Sequence, residues 1–357
     1  MKNIAISIKP LESGHKARGI GYYTENLIEG LEKRKDINVI TFRNEKELKD
    51  VDLIHYTWFD LFYKTLPLKS RFPRVVTVHD VMPLVYKDHY PSGMKGRLNF
   101  FLQKLALRNS KLIITDSESS KNDIEQYLKI KKEKIKVIYL AQDSSFKIMT
   151  ASASLRAKLS YRLPDRFLLY VGDANYVKNL PLLIRAFISL KSKKEYVDLK
   201  LVLVGQVFLK RVENIDHPEL VSLKEVLGLI KDNNLENEII LPGYVSTDDL
   251  IAFFNLATVY VQPSLYEGFG LPVLQAFACG TPVVSSRGGS LPEVGGKAAI
   301  YFSPTKLDEL VSILNDVLSN VSLQRKLSRM GLQQASQFSW EKTIAETVKA
   351  YEEATLK

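Results

Sequence analysis

ATVYVQPSLYEGFGLPVLQAFACG, residues 257–280, reads as strand, loop and helix in succession. ATVYVQP (257–263) is apolar at nearly every position, the pattern of a strand buried on both faces of a parallel sheet. Pro272 suits the first turn of a helix, where no N–H is needed. Gly280 ends that helix as a natural C′ residue. Ser264–Gly270 is then the loop at a strand's carboxyl end, where open α/β sheets bind ligands. Gly268 and Gly270 let the backbone approach a ligand, and the helix that follows favours an anion at its amino end. Glu267 beside them suits hydroxyls better than phosphate. Gln275, about one turn into the helix, reaches a second set of hydroxyls. Phosphate flanked by two polyols describes a nucleotide sugar. Taken alone, the acid and the amide also fit plain helix capping and solvation.

Strands and helices alternate outward from this stretch. Strand patterns precede it at NIAISI (3–8), INVITF (37–42), VDLIH (51–55), RVVTVH (74–79), KLIITD (111–116) and KVIYL (136–140). FLLYVG (167–172), LKLVLVG (199–205), NEIILPG (237–243) and TPVVSS (281–286) complete a second series. Helical patterns include 22–34 and 95–110. Residues 148–165 read as a connection, and 306–357 as helical throughout. The fold expected is α/β: two doubly wound domains facing a central cleft, 1–150 and 151–335, with 336–357 as a final helix.

A chain of 357 residues suits two cores, and 45% apolar with 25% charged residues is ordinary for a globular protein. No apolar run is long enough to span a bilayer and no signal-peptide pattern opens the chain, so a cytoplasmic place is expected. The single cysteine, Cys279, excludes an internal disulfide; among small residues it reads as a packed thiol. Residues 1–147 hold 27 basic and 18 acidic residues, the rest 23 and 22. A basic first half suggests an anionic partner: a membrane surface, a nucleic acid or a phosphorylated acceptor. In MKGRLNFFLQKLALRNSK (94–111), Leu98, Phe101, Leu102 and Leu105 share a helical face beside Arg97, Lys104, Arg108 and Lys111. That suits an anionic membrane surface; the alternative is a helix packed on the sheet with solvated lysines. Asp50-Val51-Asp52 precedes a strand, the wrong end for a ligand, and His15, His55, His79, His89 and His217 have no metal-ligand spacing. No metal site is expected. Trp340 reads as an anchor for the last helix.

LPGYVSTDDLIAFFNLATVYVQPSLYEGFGLPVLQAFACGTPVVSSRGGSLPEVGG (241–296) resembles the donor-binding domain of family 4 glycosyltransferases, which have the GT-B fold. RGIGYYTENLIEGL (18–31) is similar to the family's glycine loop after the first strand, and YVGDANYVKNLPLLIRAF (170–187) to its second phosphate-binding turn. VVTVHDVMPLVY (75–86), ITDSESSKNDI (114–124) and VIYLAQDSSF (137–146) fall in order between them. The resemblance implies two Rossmann-like domains, a final helix that crosses back to the first, and transfer of a hexose with retention and no metal or cofactor. The donor would be a nucleotide sugar, GDP-mannose or a UDP-sugar, with HDVMPLVY leaning toward mannosyltransferase-like relatives. The acceptor would be a glycan or a lipid-linked sugar, and the place of action the cytoplasm or the inner membrane face.

By position, the resemblance gives Glu267 the transferred sugar's hydroxyls and Lys178 the leaving diphosphate. Phe269, Gly270 and Leu271 offer backbone N–H groups, with Gly268 beside them. Gln275 contacts the ribose, Tyr244 and Val245 border the base, Gly21 lets the first loop close over the phosphates, and His79 faces the donor sugar. Two positions depart from the family pattern: Asp173 stands where an Arg is frequent, and Gln275 where a second Glu is usual. An amide keeps the reach and loses charge-assisted strength. Other readings on the same fold are a nucleotide-sugar epimerase and a phosphorylase. A nucleic-acid-binding protein rests on the net charge of +10 alone, with no nucleic-acid motif to support it.

Overall fold

A computed structural model describes residues 1–12, 19–210 and 217–356, so His15 and Arg18 lie outside the described residues. The chain forms two compact units, Met1–Ala141 with Phe338–Lys357, and Gln142–Gln337. Unit one contains β1 (Lys2–Ser7), α1 (Gly19–Glu32), β2 (Ile37–Phe42), β3 (Leu53–Tyr56), β4 (Arg74–Thr77) and α2 (Met82–Val85). It continues through α3 (Gly93–Arg108), β5 (Leu112–Thr115), α4 (Glu118–Asp123) and β6 (Ile135–Val137). Unit two begins with α5 (Ala151–Ser160), β7 (Phe167–Val171), α6 (Leu180–Lys191), β8 (Lys200–Val204), α7 (Val221–Asp232) and β9 (Ile239–Gly243). Then come α8 (Thr247–Leu256), β10 (Val259–Gln262), α9 (Leu271–Ala278), β11 (Val283–Ser286) and α10 (Leu291–Gly295). It ends with β12 (Ala299–Phe302), α11 (Leu307–Ser319) and α12 (Val321–Ala335), after which α13 (Trp340–Leu356) belongs to unit one.

Each unit is built on a six-stranded sheet, ordered β2-β1-β3-β4-β5-β6 in unit one and β12-β11-β10-β7-β8-β9 in unit two. The strand pairings are parallel in both. Parallel strands lie between helices, which is why their sequences are continuously apolar. Ile4, Ala5 and Ile6 of β1 are fully buried, as are Leu168, Leu169 and Tyr170 of β7. Strand connections through helices leave every loop that follows a strand at the same edge of its sheet.

The last helix is tied to unit one by polar contacts as well as packing. Trp340 donates from Nε1 to Tyr22 Oη at 3.2 Å, and Thr343 donates to the Tyr139 carbonyl at 2.7 Å. Tyr351 Oη lies 2.7 Å from His55 Nδ1, and Thr77 Oγ1 lies 2.8 Å from His55 Nε2. Burial, with the neighbouring His79, pushes the His55 pKa down to about 3. A neutral ring with one donor and one acceptor nitrogen suits two hydroxyl partners.

Several expectations need correction. The domain boundary falls at 141/142 instead of 150/151, because Asn255 accepts from the Met149 N–H at 2.8 Å and donates to the Lys147 carbonyl at 3.0 Å. Residues 148–165 contain helix α5, capped by Thr150; only Ser154 and Ala157 are buried, so no apolar stripe announces it. Residues 306–357 divide into three helices, with Asn320 capping the second through the Leu323 N–H. Ala299–Phe302 forms a further strand, β12, beyond those expected from the sequence. Gly21 sits inside α1 and is buried; in the structure it is helical, not in a loop.

Helix α3 is inverted relative to a helix packed by its apolar face. Asn99 and Gln103 point inward, 6% and 2% exposed. Gln103 Oε1 accepts from the Thr65 and Leu66 N–H groups at 2.9 and 2.8 Å, while its Nε2 donates to the Leu66 carbonyl at 2.9 Å. Asn99 donates to the Phe62 carbonyl at 2.9 Å. The amino-terminal part of the helix therefore packs on a loop by satisfying that loop's backbone. Its apolar side is left outside: Met94, Leu98 and Phe101 are 89%, 61% and 60% exposed. Toward its carboxyl end α3 also packs on the core of unit one through Ala106 and Leu107, with Phe100 beside them, as the alternative of a packed helix has it, while Met94, Leu98 and Phe101 stay outside.

Candidate active site

In unit two the chain lays down β7, β8 and β9 in one direction and then places β10 on the other side of β7. The order reverses between β7 and β10, and such a reversal opens a crevice at the strands' carboxyl ends. The loop after β7 ends in a 3₁₀ turn, Tyr176–Lys178, and then Asn179 at φ 53°. Asn179 Nδ2 donates to the Pro263 carbonyl at 3.0 Å and the Pro304 carbonyl at 2.8 Å, and Leu265 N–H donates to the Val177 carbonyl at 2.7 Å. These bonds fasten the β7 and β10 loops side by side. Lys178 Nζ consequently lies 2.7 and 2.9 Å from the two carboxylate oxygens of Glu267. The two side chains are 21% and 11% exposed, open enough to meet a ligand and shielded enough for charge to matter.

Glu267 is held from behind. Gln262 Nε2 donates to its Oε1 at 2.9 Å and Ser264 Oγ donates to the same oxygen at 2.6 Å. Its backbone is held too: Ser290 donates from N to the Glu267 carbonyl at 3.1 Å and from Oγ to the Phe269 carbonyl at 2.8 Å. Gly289 adopts φ 59°, and a Cβ there would collide with the Glu267 backbone. Gly270 caps α9 at φ 95° with no side-chain hydrogen bond over the first turn. A Cβ at Gly270 would sit 2.8 Å from Leu291 Cδ2, so the turn requires glycine twice over. The amino end of α9 thus stands uncapped beside the Lys178–Glu267 pair.

The remaining expected residues divide between the units. Gly268 and Leu271 are half-buried and Phe269 is buried, all at the start of α9. Gln275 is half-buried in the same helix, and its side chain bonds no described residue. Tyr244, 69% exposed, and Val245, 7% exposed, follow β9. Asp173 turns its carboxylate onto the Ala174 N–H at 3.0 Å. Asp52 accepts from the Asn3 N–H at 2.7 Å, and no group of metal-ligand type occurs among the described residues. Cys279 is buried, and burial pushes its thiol up to about 12, far from a nucleophile.

Gly21 and His79 lie in unit one. His79 Nδ1 is 2.6 Å from Asp116 Oδ2 and its Nε2 is 3.2 Å from the Thr57 carbonyl. Both ring nitrogens face acceptors, which suits an imidazolium. Burial pulls its pKa down, but Asp116, Asp80 and the Thr57 carbonyl outweigh burial, and the net direction is up. A raised folded pKa makes the ring's charge stabilising below the unfolded value, about 6.5, and that stability is lost as pH rises through the folded value. The urea midpoint is therefore expected to fall as pH climbs above about 6.5. In Asp116→Asn this fall should largely disappear; an unchanged pH profile in that variant would remove Asp116 as the cause.

The sequence reading missed Gln262, Ser264, Gly289, Ser290 and Asp116. Asp116 directly follows LIIT, and an acid at a strand's carboxyl end is a legible signal. A glutamine ending the apolar run VYV is a weaker one. SSRGGS (285–290) is another weak signal, a glycine pair directly after a buried strand.

The chain matches the family Glycosyl transferases group 1 over residues 152–334 and Glycosyltransferase Family 4 over residues 37–146. It is 32% identical over 275 residues to the serotype-specific mannosyltransferase WbdA of Escherichia coli, covering 75% of this chain and 32% of that protein. The chain thus spans about a third of the length of these first relatives. It is 31% identical over 291 residues to the O-antigen chain mannosyltransferase B of the same organism, covering 80% of this chain and 71% of that one. In fold it is similar to a sucrose-phosphate synthase from Thermosynechococcus elongatus, with TM-score 0.75, 18% identity and 99% and 98% of the two chains covered. It is likewise similar to Anabaena Alr3699/HepE in complex with UDP-glucose, with TM-score 0.73, 19% identity and 98% and 100% covered.

Proposed function

The chain belongs to the glycosyltransferases of group 1, and from that premise we propose that it transfers a hexose from a nucleotide sugar to a glycan or lipid-linked acceptor, with retention and without a metal. The observation that carries the reading is the Lys178–Glu267 pair at the strand-order reversal, beside the uncapped amino end of α9. A diphosphate carries more charge than one carboxylate and competes for Lys178. With the lysine drawn to the phosphates, Glu267 is freed to accept from sugar hydroxyls. Negative charge grows on the diphosphate as the glycosidic bond breaks, and fixed positive charge there stabilises the transition state. Lys178 and the helix end supply that charge from the chain itself. Mannose carried by GDP is the first donor to try, supported by the two mannosyltransferase relatives; UDP-sugars are the second, supported by the fold neighbour with UDP-glucose.

Thermal unfolding with each nucleotide sugar tests the reading. The donor at 100 times Kd should stabilise the protein by about 2.7 kcal/mol. No stabilisation and no transfer with any nucleotide sugar would overturn it. Gln275→Leu should weaken nucleoside-diphosphate binding about fivefold, the worth of one hydrogen bond, at little change in stability. Undiminished affinity in a calorimetric titration would mean that Gln275 does not touch the ribose.

The acceptor side of the proposal includes an anionic membrane surface, supported by α3. Its exposed Met94, Leu98 and Phe101 stand beside exposed Arg97 and Arg108, an apolar strip with a cationic border. Among the described residues no helix is long and apolar enough to cross a membrane, so contact through α3 would be peripheral. Leu98→Ser with Phe101→Ser should lower binding to vesicles containing phosphatidylserine by about 10- to 100-fold, and added salt should weaken binding further. Equal sedimentation of variant and parent with vesicles would exclude α3.

A further inference from the structure

Gln262 ends β10 with its side chain 2% exposed, facing the site's interior. A buried carboxamide must find an acceptor for its N–H groups and a donor for its oxygen. Here Tyr260 Oη donates to Gln262 Oε1, and Gln262 Nε2 donates to Ser264 Oγ at 2.8 Å and to Glu267 Oε1 at 2.9 Å. Tyr260 is fully buried, which raises its pKa well above 10 and keeps it a donor. That fixes the amide's orientation: oxygen toward the phenol, nitrogen toward the carboxylate. Ser264 accepts from Gln262 and passes its own proton to Glu267 Oε1 at 2.6 Å.

The two carboxylate oxygens of Glu267 are therefore unequal. Oε1 receives Lys178, Gln262 and Ser264, whereas among the described residues Oε2 receives Lys178 alone, at 2.9 Å. We infer that Gln262 is a positioning residue, which with Ser264 keeps Glu267 aimed once Lys178 is drawn away by a diphosphate, leaving Oε2 for the sugar. This rests on the proposed roles of Lys178 and Glu267. The lysine cannot serve both the acid and the phosphates at full strength. Without neutral donors behind it, the abandoned carboxylate would rotate toward the lysine. Neutral donors suit the task better than a second cation, because they hold the acid without following the phosphate. Only an amide serves at position 262. A carboxylate would meet Glu267 with like charge, and an alkyl group would strand the Tyr260 hydroxyl.

Three variants test the inference: Gln262→Leu, Gln262→Glu and Tyr260→Phe. Steady-state turnover of the nucleotide sugar is measured against pH, and nucleoside-diphosphate affinity by calorimetry. A nucleoside diphosphate has no transferred sugar for Glu267 to hold. Gln262→Leu should keep its affinity within about twofold of the parent while kcat falls about 10- to 100-fold, the worth of hydrogen bonds to a charged group. Gln262→Glu should move the acid limb of the kcat profile to higher pH, a shift that a purely structural role would not produce. Tyr260→Phe leaves the amide free to flip, and kcat should fall by less than in Gln262→Leu. It also serves if the leucine variant does not fold. Independently of turnover, carbon NMR of labelled glutamate with saturating inorganic pyrophosphate should show the Glu267 carboxylate resonance displaced in the Gln262 variants relative to the parent. A kcat within threefold of the parent, or diphosphate affinity falling as far as kcat, would overturn the inference. A parent that turns over no nucleotide sugar fails the functional reading instead. The NMR comparison then decides the role of Gln262 by itself, and a Glu267 resonance unmoved in the Gln262 variants would overturn it.

Discussion

Glu267→Ala is expected to lower sugar transfer about 10³-fold, with the fold retained. In the proposed reading the carboxylate accepts from hydroxyls of the transferred sugar, and nothing else among the described residues offers an acceptor in direct contact with Lys178. The loop does not depend on this side chain for its shape. Ser290 grips the Glu267 carbonyl, Ser286 donates to the Ser264 carbonyl, and Gly289 leaves room for both strands of backbone. The variant does leave Gln262 and Ser264 donors without their partner, at a stability cost of about 1–3 kcal/mol. A domain stability of about 5–15 kcal/mol absorbs that loss. Glu267→Gln is the matched control: it keeps the bulk and one acceptor oxygen, and should recover folding stability but little turnover. A folded Glu267→Ala protein with near-parental kcat would overturn the assignment.

Lys178→Ala is expected to lower kcat/KM about 10²-fold or more. The lysine is the cation in direct contact with Glu267, and Asp173, the other charged residue of the β7 loop before it, is an acid. No neighbouring guanidinium is available to take over from that loop. Nucleoside-diphosphate affinity should fall together with turnover, because in the proposed reading the lost charge meets the phosphates in both states. Glu267 keeps Gln262 and Ser264, so the unfolding midpoint should move little. Parental affinity and turnover in Lys178→Ala would leave the lysine as no more than the acid's counter-ion.

The alternating apolar runs announced the paired sheets because parallel strands leave no solvent face to disguise them. The strand-to-helix turn at 264–272 was legible for the same kind of reason: Gly270 and Pro272 act locally. What escaped was long-range. Lys178 and Glu267 are 89 positions apart, and they meet because β10 returns beside β7, a fact of strand order. Gln262 and Ser264 look like ordinary strand-end polar residues until the acid they serve is in place. In helix α3 the apolar face of Leu98 and Phe101 was legible but not the inward place of Asn99 and Gln103, because the loop at 62–66 needs their donors and acceptors more than it needs leucine. A hydrophobic wheel ranks side chains by transfer energy and cannot see which backbone groups await a partner. Strand β12 was overlooked because AIYF is four residues long and follows a glycine turn.

Unit one draws on both ends of the chain, Met1–Ala141 and Phe338–Lys357, and His55 waits in its core for Tyr351. During synthesis the first portion leaves the ribosome long before its last helix exists. At about 5–20 residues per second, the roughly 200 residues of unit two take about 10–40 s to make. For that interval the nascent first sheet has an uncovered place where α13 will lie, with the His55 imidazole lacking one of its hydroxyl partners. Unit two, contiguous from Gln142 to Gln337, can complete its core first. Assembly on the ribosome therefore runs against the order of translation, and residues 1–141 reach their final packing only after the later-made unit two can be complete.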